Sequence, residues 1–311
     1  MKKYSYDNIE IMIADPNRQL RASLKGVLHQ AGFRKISDLA NLEQMEEAIR
    51  IKCPDILLCD INLEGGNVCS TIRKLRHNQV GQNPFCSVIL FIDEPTEDVV
   101  KAASEAGLDD LQIKPIVAQK ILDRIVYLVE KRKPFVVTTD YIGPDRRKDH
   151  RQGSQKISSM PVPNSVEQKA KGIFVANDFQ EDVNRTVWEI NAQKIERHAF
   201  QISYLVERIV PAYKQGQINR ESLGQVARLV KVAKDISQRL EESDYIHLAD
   251  LVSTLCTVAS SLWNSGTLPK RKDLDLLVEL SAAISATFKS HKTSDAVADE
   301  ISVSVRQKYQ D

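Results

Sequence analysis

Apolar and polar positions follow two different rhythms along the 311-residue chain. Up to about residue 130, short apolar runs alternate with amphipathic segments, which predicts β-strands alternating with α-helices. The predicted strands cover residues 9–14, 35–39, 55–59, 88–92 and 111–113. The predicted helices cover residues 17–31, 42–51, 67–77, 96–106 and 117–131. Five such βα units predict an α/β domain with a doubly wound parallel sheet, for which 2-1-3-4-5 is one of the common strand orders.

Beyond residue 181 the apolar positions recur at helical spacing. The apolar stripes run over residues 188–209, 223–240, 248–262, 274–288 and 297–305. Because every stripe needs a covering surface and the intervening loops are short, we expect an antiparallel bundle of four long helices with a fifth packed alongside. The pattern therefore predicts an α/β domain over residues 1–131 and an all-α domain over residues 181–311.

Residues 132–180 separate these two regions and differ from both. Between residues 131 and 156, eight basic residues stand against three acidic ones, and SSMPVPNS at 158–165 adds prolines and small polar residues. Such a composition holds too few apolar groups to build a core, so we interpret the segment as a basic, proline-containing linker. A turn at Gly143-Pro144 precedes Arg146 and Arg147, which are interpreted either as a site for an acidic partner or as solvated linker charges.

Overall composition narrows the class of protein. The 43 Lys and Arg nearly cancel the 42 Asp and Glu, and the net charge of +1 offers no general attraction to nucleic acid or anionic membranes. The five cysteines form no CxxC pair, which argues against a disulfide framework or a zinc site. No signal-peptide pattern and no run of 18 uninterrupted apolar residues is evident. These features favour a soluble cytoplasmic protein without membrane insertion.

Two carboxylates stand where predicted strands end. Asp60 closes the apolar run of PDILLCD, and Asp15 follows the first strand. In a sheet of this strand order, strands one and three flank the crevice where ligands gather. Two acids there would repel each other unless a hard cation such as Mg²⁺ bridged them. Lys114, which ends strand five before Pro115, would bring an ammonium group to the same crevice.

The motifs that carry these residues resemble one family. PDILLCDIN, IADPN at 13–17 and EAGLDDLQIKPI at 105–116 are similar to segments of CheY-like response-regulator receiver domains. The resemblance implies that Asp60 accepts a phosphoryl group from the phosphohistidine of a histidine kinase or phosphotransfer protein. It also implies that Asp15, Asp60 and the backbone of Asn62 hold Mg²⁺, and that Lys114 contacts the acyl phosphate.

Several positions depart from the receiver pattern. Ala14 stands where the family usually has a second acid after strand one, so we expect weaker metal binding. Ile92 replaces the Ser or Thr at the end of strand four, and Leu111 replaces the aromatic switch residue. A hydrogen bond to a charged group contributes about 1.5–3 kcal/mol, so the loss of the hydroxyl removes much of the usual bias toward switching. Asp93, directly after Ile92, adds a negative charge near the predicted pocket.

Alternative functions follow from these departures and from the helical region. The receiver fold would serve as a phosphorylation-independent docking scaffold if Asp60 never turned over phosphate. His198 and His247 are the helical histidines to weigh for a phosphotransfer domain, but His198 flanks an apolar stripe and is expected to be packed. Residues 222–240 superficially resemble a helix-turn-helix, yet Lys231 occupies the turn position and the balanced charge argues against DNA binding.

The sequence thus predicts a two-component response regulator in which a divergent receiver controls a helical protein-interaction domain. No GxxxxGK[ST], HExxH or GxSxG signature appears, so we expect no enzymatic output. The cognate kinase, the protein target of the bundle and any homo-oligomer are left open by the sequence.

Overall fold

The computed structural model describes residues 4–147, 159–241 and 243–289 of the chain. Within these residues the chain divides into two compact units. The first comprises the described residues up to 147 together with residues 159–187, and the second comprises the described residues from Trp188 onward. The predicted fifth helical stripe, at residues 297–305, lies outside the described residues.

The first unit contains the predicted βα alternation. Its strands are β1 (Glu10–Ala14), β2 (Lys35–Leu39), β3 (Ile56–Asp60), β4 (Ser87–Ile92) and β5 (Asp110–Ile113). Its helices are α1 (Arg18–Gln30), α2 (Leu42–Ile51), α3 (Val68–Arg76), α4 (Glu97–Ala106) and α5 (Ala118–Lys131). The strands form one parallel sheet in the order β2-β1-β3-β4-β5, which confirms the predicted doubly wound topology.

Both faces of this sheet are covered, which explains why β3 and β4 are buried throughout and mostly apolar rather than alternating. One core packs α2, α3 and α4 against the sheet, and the other packs α1 and α5 against the opposite face. Asparagine side chains cap the starts of three helices: Asn17 for α1, Asn41 for α2 and Asn67 for α3. Each accepts a backbone N–H that the first helical turn leaves unpaired, so these helices begin at defined residues.

The segment interpreted as a linker is folded where the structure describes it. Strands β6 (Phe135–Val137), β7 (Ile142–Pro144) and β8 (Ser159–Met160) form a small antiparallel sheet with β6 in the centre, followed by the short helix α6 (Ser165–Ala170). Phe135 is fully buried, and Val166 and Ala170 join the core formed by α1 and α5. Its apolar residues are few, but the parallel sheet and its helices supply the surface that they cover.

Buried charges attach this segment, here called the collar (residues 132–147 and 159–170), to the amino ends of the sheet strands. Arg132 and Arg76 both bind the carboxylate of Asp109, with Nε–Oδ1 and Nη2–Oδ2 distances of 2.9 and 2.8 Å. Lys169 of α6 binds the carboxylate of Asp55 at 2.7 Å. Both guanidinium groups also lie over the Phe135 ring, 5.2 and 5.3 Å from its centre. The collar is therefore built into the first unit.

Gly143 and Pro144 lie in strand β7 rather than in the predicted turn, and the two arginines that follow them are part of the collar. Arg146 donates to the backbone carbonyl of Leu108, and Arg147 forms an ion pair with Asp145 at 2.7 Å. Both side chains thus have partners within their own unit.

The second unit is helical, as predicted. Its helices are the later part of α7 (Ala176–Lys214), α8 (Arg220–Leu240), α9 (Ala249–Ser265) and α10 (Arg271–Lys289), with a 3₁₀ turn at Ile246–Leu248 before α9. Side chains of all four helices share one apolar core. Contacts of Asn191 with Arg239 and of Arg208 with Glu221 show that α7 and α8 run antiparallel.

Helix α8 is continuous through Lys231, so the resemblance to a helix-turn-helix is not reflected in the structure. His198 is 2% exposed and contacts Asp235, which confirms that it is packed rather than presented. His247 is exposed on the 3₁₀ turn.

One described helix, Ile246–Ser265, is long and apolar enough to cross a membrane by composition, with a mean hydropathy of 1.3. Its Val252, Leu255 and Leu262 lie in the shared core, as in the central helix of a globular bundle. The helix is therefore only a weak indication of a membrane span.

Candidate functional site

Three separate elements bring the predicted site residues together at the carboxyl ends of the strands. Asp15 follows β1, Asp60 is the last residue of β3, and Lys114 follows β5 directly. Parallel pairing keeps these strand ends level, since Ala14 lies opposite Cys59 in the register of β1 and β3. Local sequence and sheet order together create the crevice.

The geometry places one ammonium group between two buried carboxylates. Lys114 Nζ lies 3.0 Å from Asp15 Oδ2 and also contacts Asp60 Oδ2. Both aspartates are fully buried, whereas the Lys114 side chain remains 20% exposed. The crevice is therefore accessible from solvent on the lysine side. The convergence on which the sequence interpretation rested is present in the structure.

Each carboxylate has one well-bonded oxygen and one oxygen that faces the lysine. Asp15 Oδ1 accepts the backbone N–H of Asn17 at 2.7 Å, and Asp60 Oδ1 accepts that of Asn62 at 2.5 Å. Among the described residues, neither Oδ2 atom accepts a hydrogen bond of good geometry. The approach of Lys114 is thus an ion pair without well-directed hydrogen bonds, and two Oδ2 atoms retain acceptor capacity.

The charge balance of the crevice is negative. Burial lowers the pKa of the Lys114 ammonium, but close contact with Asp60 and Asp15 and their negative charges outweigh that effect and hold the pKa above its usual value. The lysine is therefore protonated at neutral pH. One positive charge against two carboxylates leaves a net charge of about −1 within a mostly buried site.

The oxygen donors present suit a divalent cation. Mg²⁺ favours oxygen ligands and is typically held by one or two protein carboxylates while keeping several waters. The Oδ2 atoms of Asp15 and Asp60 are buried and under-coordinated, which is the environment that such an ion would complete. The described residues contain no group of three His, Cys, Asp or Glu side chains with metal-ligand geometry. A cation here would rely on these two carboxylates, a backbone oxygen near Asn62 and water.

The predicted departures have clear structural positions. Ala14 is fully buried beside Asp15 and offers no oxygen to a cation. Ile92 is also fully buried at the end of β4, and its carbonyl accepts the backbone N–H of Lys114 at 2.8 Å. Leu111 pairs with Leu90 across β4 and β5 and packs on the core. All three positions are apolar and contribute to the sheet interior.

One contact was not predicted from the sequence. The side-chain amide of Asn62 donates to Asp93 Oδ2 at 2.8 Å and so joins the loop after β3 to the loop after β4. The sequence indicated only that Asp93 adds charge near the pocket. A signal was present, because Asn62 and Asp93 each follow the end of neighbouring strands, but the pairing depends on their rotamers.

Fold and site together define a receiver-type α/β domain with an acidic pocket. Residues 11–126 match the family described as the response regulator receiver domain. This part of the chain is a receiver domain, the class of domain that takes part in two-component signalling. The family match ends within α5 and does not include the collar or the helical unit.

Curated relatives match the same region. The sensory/regulatory protein RpfC of Xanthomonas campestris pv. campestris is 26% identical over 121 residues, which are 39% of this chain and 16% of that protein. The transcriptional regulatory protein PrrA of Mycobacterium leprae is 30% identical over 125 residues, 39% of this chain and 50% of that protein. The chain thus spans half or less of the length of these relatives.

Solved structures are similar over a comparable share of the chain. One is the receiver domain of a sensor histidine kinase from Pseudomonas aeruginosa PAO1, described with a magnesium ion in its active-site cleft; it has 20% identity, a TM-score of 0.34 and coverage of 38% of this chain and 94% of that chain. Another is a CheY-like receiver domain protein from Methanospirillum hungatei JF-1, with 19% identity, a TM-score of 0.35 and coverage of 38% and 90%.

Proposed function

We propose that this protein is a two-component response regulator whose receiver domain accepts a phosphoryl group on Asp60. The observation that carries the proposal is the ammonium of Lys114 held against the Oδ2 atoms of Asp15 and Asp60 in a crevice open to solvent. The donor is the phosphohistidine of a histidine kinase or phosphotransfer protein, met in the cytoplasm. The chain itself acts as a signalling protein and carries no enzymatic output.

The two oxygens of Asp60 have different roles in this chemistry. Oδ1 is held by the N–H of Asn62, so Oδ2 is the atom free to attack phosphorus. As the bond from Oδ2 to phosphorus forms, the bond from phosphorus to the donor imidazole nitrogen breaks, and that nitrogen keeps the electron pair. Lys114 then moves from its ion pair with Asp60 to an oxygen of the transferred phosphoryl group.

Asp15, Asp60 and the backbone of Asn62 are the residues that would hold Mg²⁺. Bound there, the cation would neutralise charge on the phosphoryl oxygens during transfer. Because Ala14 supplies no second acid after β1, we expect the metal to bind more weakly than in a pocket with an acidic pair there. Asp15 would help to hold the cation, and the position of its carboxylate is fixed by the N–H of Asn17.

The helical unit is proposed to be a protein-interaction output. Trp188 and Trp263 are 47% and 49% exposed, and large aromatic side chains are enriched at the energetic centres of protein interfaces. Residues 251–269 contain no Asp, Glu, Lys or Arg, so helix α9 presents an uncharged surface where it is exposed beyond Asp250 in its first turn. Neither feature favours the phosphate backbone of DNA, which requires a concentration of basic side chains.

The direct test is covalent modification of Asp60. The full-length protein is incubated with Mg²⁺ and a small phosphodonor such as acetyl phosphate, and intact mass is measured. Wild type and Asp98→Asn, which removes an exposed acid from the first turn of α4, should each gain one phosphoryl group. Asp60→Asn should gain none, because the nucleophilic oxygen is replaced. An unmodified wild type, or equal modification of Asp60→Asn, would overturn the proposal.

A second candidate is a scaffold whose receiver docks without phosphorylation. Burial of Ile92 at the position of the usual hydroxyl favours it, since the side chain can make no hydrogen bond to a phosphoryl oxygen. The two candidates differ in response to beryllofluoride with Mg²⁺, a mimic of the phosphoryl group. A switch changes amide exchange in the helical unit, whereas a constitutive scaffold leaves that exchange unaltered.

A further inference from the structure

Two hydrogen bonds connect the acceptor carboxylate to the loop after β4. Asp60 Oδ1 accepts the backbone N–H of Asn62 at 2.5 Å, and the side-chain amide of the same Asn62 donates to Asp93 Oδ2 at 2.8 Å. We call the second bond the clasp (Asn62 with Asp93). The clasp therefore involves the same residue, Asn62, whose backbone N–H binds the carboxylate that becomes phosphorylated.

The clasp holds a segment that leads directly into α4. Asp93 is the first residue after β4, and Thr96 caps the start of α4 by accepting the N–H of Val99. Helix α4 also begins with two acids, Glu97 and Asp98. The position of residues 93–96 thus depends on few bonds, and Asp93 is exposed, so the loop has little buried surface to hold it.

The two positions that usually carry a hydroxyl and an aromatic side chain in receivers hold Ile92 and Leu111. Ile92 is fully buried and Leu111 packs partly buried on the core, and neither apolar side chain can hydrogen-bond to a phosphoryl group. The clasp is a direct side-chain hydrogen bond between the loop after β3 and the loop after β4. A signal at Asp60 that reaches α4 has this bond directly in its path.

Phosphorylation changes the charge next to the clasp. The aspartyl phosphate carries up to about two negative charges in place of the single charge of the carboxylate, and it brings three strong acceptor oxygens to the pocket. Like charge repels the Asp93 carboxylate, while the new oxygens compete for the side-chain amide of Asn62. Both effects weaken the same bond.

We infer that the clasp is the switch element of this receiver: phosphorylation of Asp60 transfers the Asn62 side-chain amide from Asp93 to the phosphoryl group and releases residues 93–96 before α4. This inference rests on the proposed phosphoacceptor function. Asp93 acts through Asn62 and does not take part in the chemistry, so it is a positioning residue. The charge of Asp93, rather than its bulk, makes the release respond to phosphate.

The test is hydrogen exchange of peptides covering residues 93–100 in the full-length protein, with and without beryllofluoride and Mg²⁺, with occupancy confirmed by native mass spectrometry. In wild type, occupancy should accelerate exchange in this segment by about tenfold, as expected for loss of one charge-assisted hydrogen bond. Glu94→Gln, which removes an exposed charge one residue away, should respond like wild type.

Two variants of Asp93 separate charge from bonding. Asp93→Asn keeps an acceptor for the Asn62 amide but removes the repelled charge, so the segment should stay protected and its response should fall well below that of wild type. Asp93→Ala removes the acceptor, so exchange should be fast even without beryllofluoride and should rise no further. Both variants should still accept a phosphoryl group on Asp60, as read by intact mass.

The outcomes separate a failure of the phosphoacceptor function from a failure of the clasp alone. A wild type that gains no adduct and binds no beryllofluoride overturns the phosphoacceptor function and the clasp with it. A wild type that is modified and saturated, yet shows unchanged exchange over residues 93–100, overturns the clasp alone. A full wild-type response in Asp93→Asn also overturns it.

Discussion

The receiver sheet has buried acids at both the amino and the carboxyl ends of its strands, and the two groups of acids differ in their hydrogen bonds. At the amino ends of the strands, Asp109 is bound by Arg76 and Arg132 and also accepts the backbone N–H of Val88 at 2.9 Å. At the carboxyl ends, Asp15 and Asp60 share Lys114, and an oxygen of each lacks a hydrogen bond of good geometry from the described residues. The three carboxylates are almost equally buried, but within the part of the chain that the structure describes only that of Asp109 has hydrogen bonds to both of its oxygens.

This difference in hydrogen bonding separates a structural carboxylate, Asp109, from the two carboxylates of the candidate site. Burial alone raises the pKa of Asp109, yet the charges and hydrogen bonds of Arg132 and Arg76 outweigh it and hold the pKa below its usual value. Its oxygens are satisfied, so the carboxylate has nothing further to bind. The acids of the other end keep unused acceptor capacity, which is what a cation or a phosphoryl group requires.

The largest expected effect on stability comes from breaking the Asp109 network at the amino ends of the strands. Arg76→Met keeps the apolar volume but leaves Asp109 with one cation and leaves the carbonyls of Gly107, Pro84 and Cys86 without this donor. We expect a loss of about 3–5 kcal/mol in the free energy of unfolding of the receiver unit, because one partner of a buried charge network is removed. The measurement is exchange of the slowest amides in β3 and β4.

A matched control lies one turn earlier on the same helix. Arg73 forms an exposed ion pair with Glu105 at 3.7 Å. Arg73→Met should change the same free energy by about 0.5 kcal/mol or less, since exposed ion pairs contribute little. Equal losses in both variants would contradict the structural importance assigned to the Asp109 network.

A smaller effect of opposite sign is expected at the reactive end. Asp60→Asn leaves one carboxylate for one ammonium and keeps an oxygen for the N–H of Asn62. Without Mg²⁺, we expect the receiver to gain about 1 kcal/mol in stability, as is common when a site built for function is neutralised. Thermal unfolding in the presence of a chelator measures it. A loss of unfolding free energy comparable to that of Arg76→Met would show that Asp60 stabilises the fold in the same way as Asp109.

The smallest effect sharpens the comparison with a third buried charge cluster, in the helical unit. Burial lowers the pKa of His198, and the charges of Lys194 and Arg239 add to that effect despite contact with Asp235. The unfolded chain therefore binds the proton first, and stability should fall gradually as pH decreases below about 6.5 toward the folded pKa of the histidine.

His198→Gln should flatten that slope, whereas His247→Gln, which alters an exposed histidine, should leave it in place. The pKa of Asp235 is also lowered, since its bonds and charge interactions with His198 and Arg239 outweigh burial. Its contribution is lost only below about pH 3.8, so it does not affect the higher window. Denaturant midpoints of the helical unit between pH 5 and 8 provide the measurement.

Sequence patterns could predict the receiver because its signals are local and repeated. Apolar runs of β-strand length, the amphipathic segments between them and strand-end acids all agree with one topology, and this agreement across levels made the site predictable as well. The positions of Ala14, Ile92 and Leu111 followed from spacing to the matched motifs. The clasp did not follow, because its formation depends on how two side chains meet across loops.

The collar shows why the remaining fold was missed. Phe135 to Val137 is a run of only three apolar residues, preceded by three basic residues and a proline and followed by polar residues, which by composition indicates a tether. Arg76, Arg132 and Asp109 likewise look solvated in sequence, since charged residues are seldom fully buried. Their burial depends on pairing between distant segments, and a single sequence does not show such pairs.

The antiparallel pairing of β6 with β8 bears on where this protein can be cut and spliced. A graft that ends at residue 131 would remove Arg132 and Phe135 and leave Asp109 and its neighbouring carbonyls facing water or a foreign chain. A chimaeric regulator built on this receiver should instead carry its own sequence through Ala170, the end of α6. The position at which this domain can be joined to another one is therefore set by the buried contacts of the collar rather than by the end of α5.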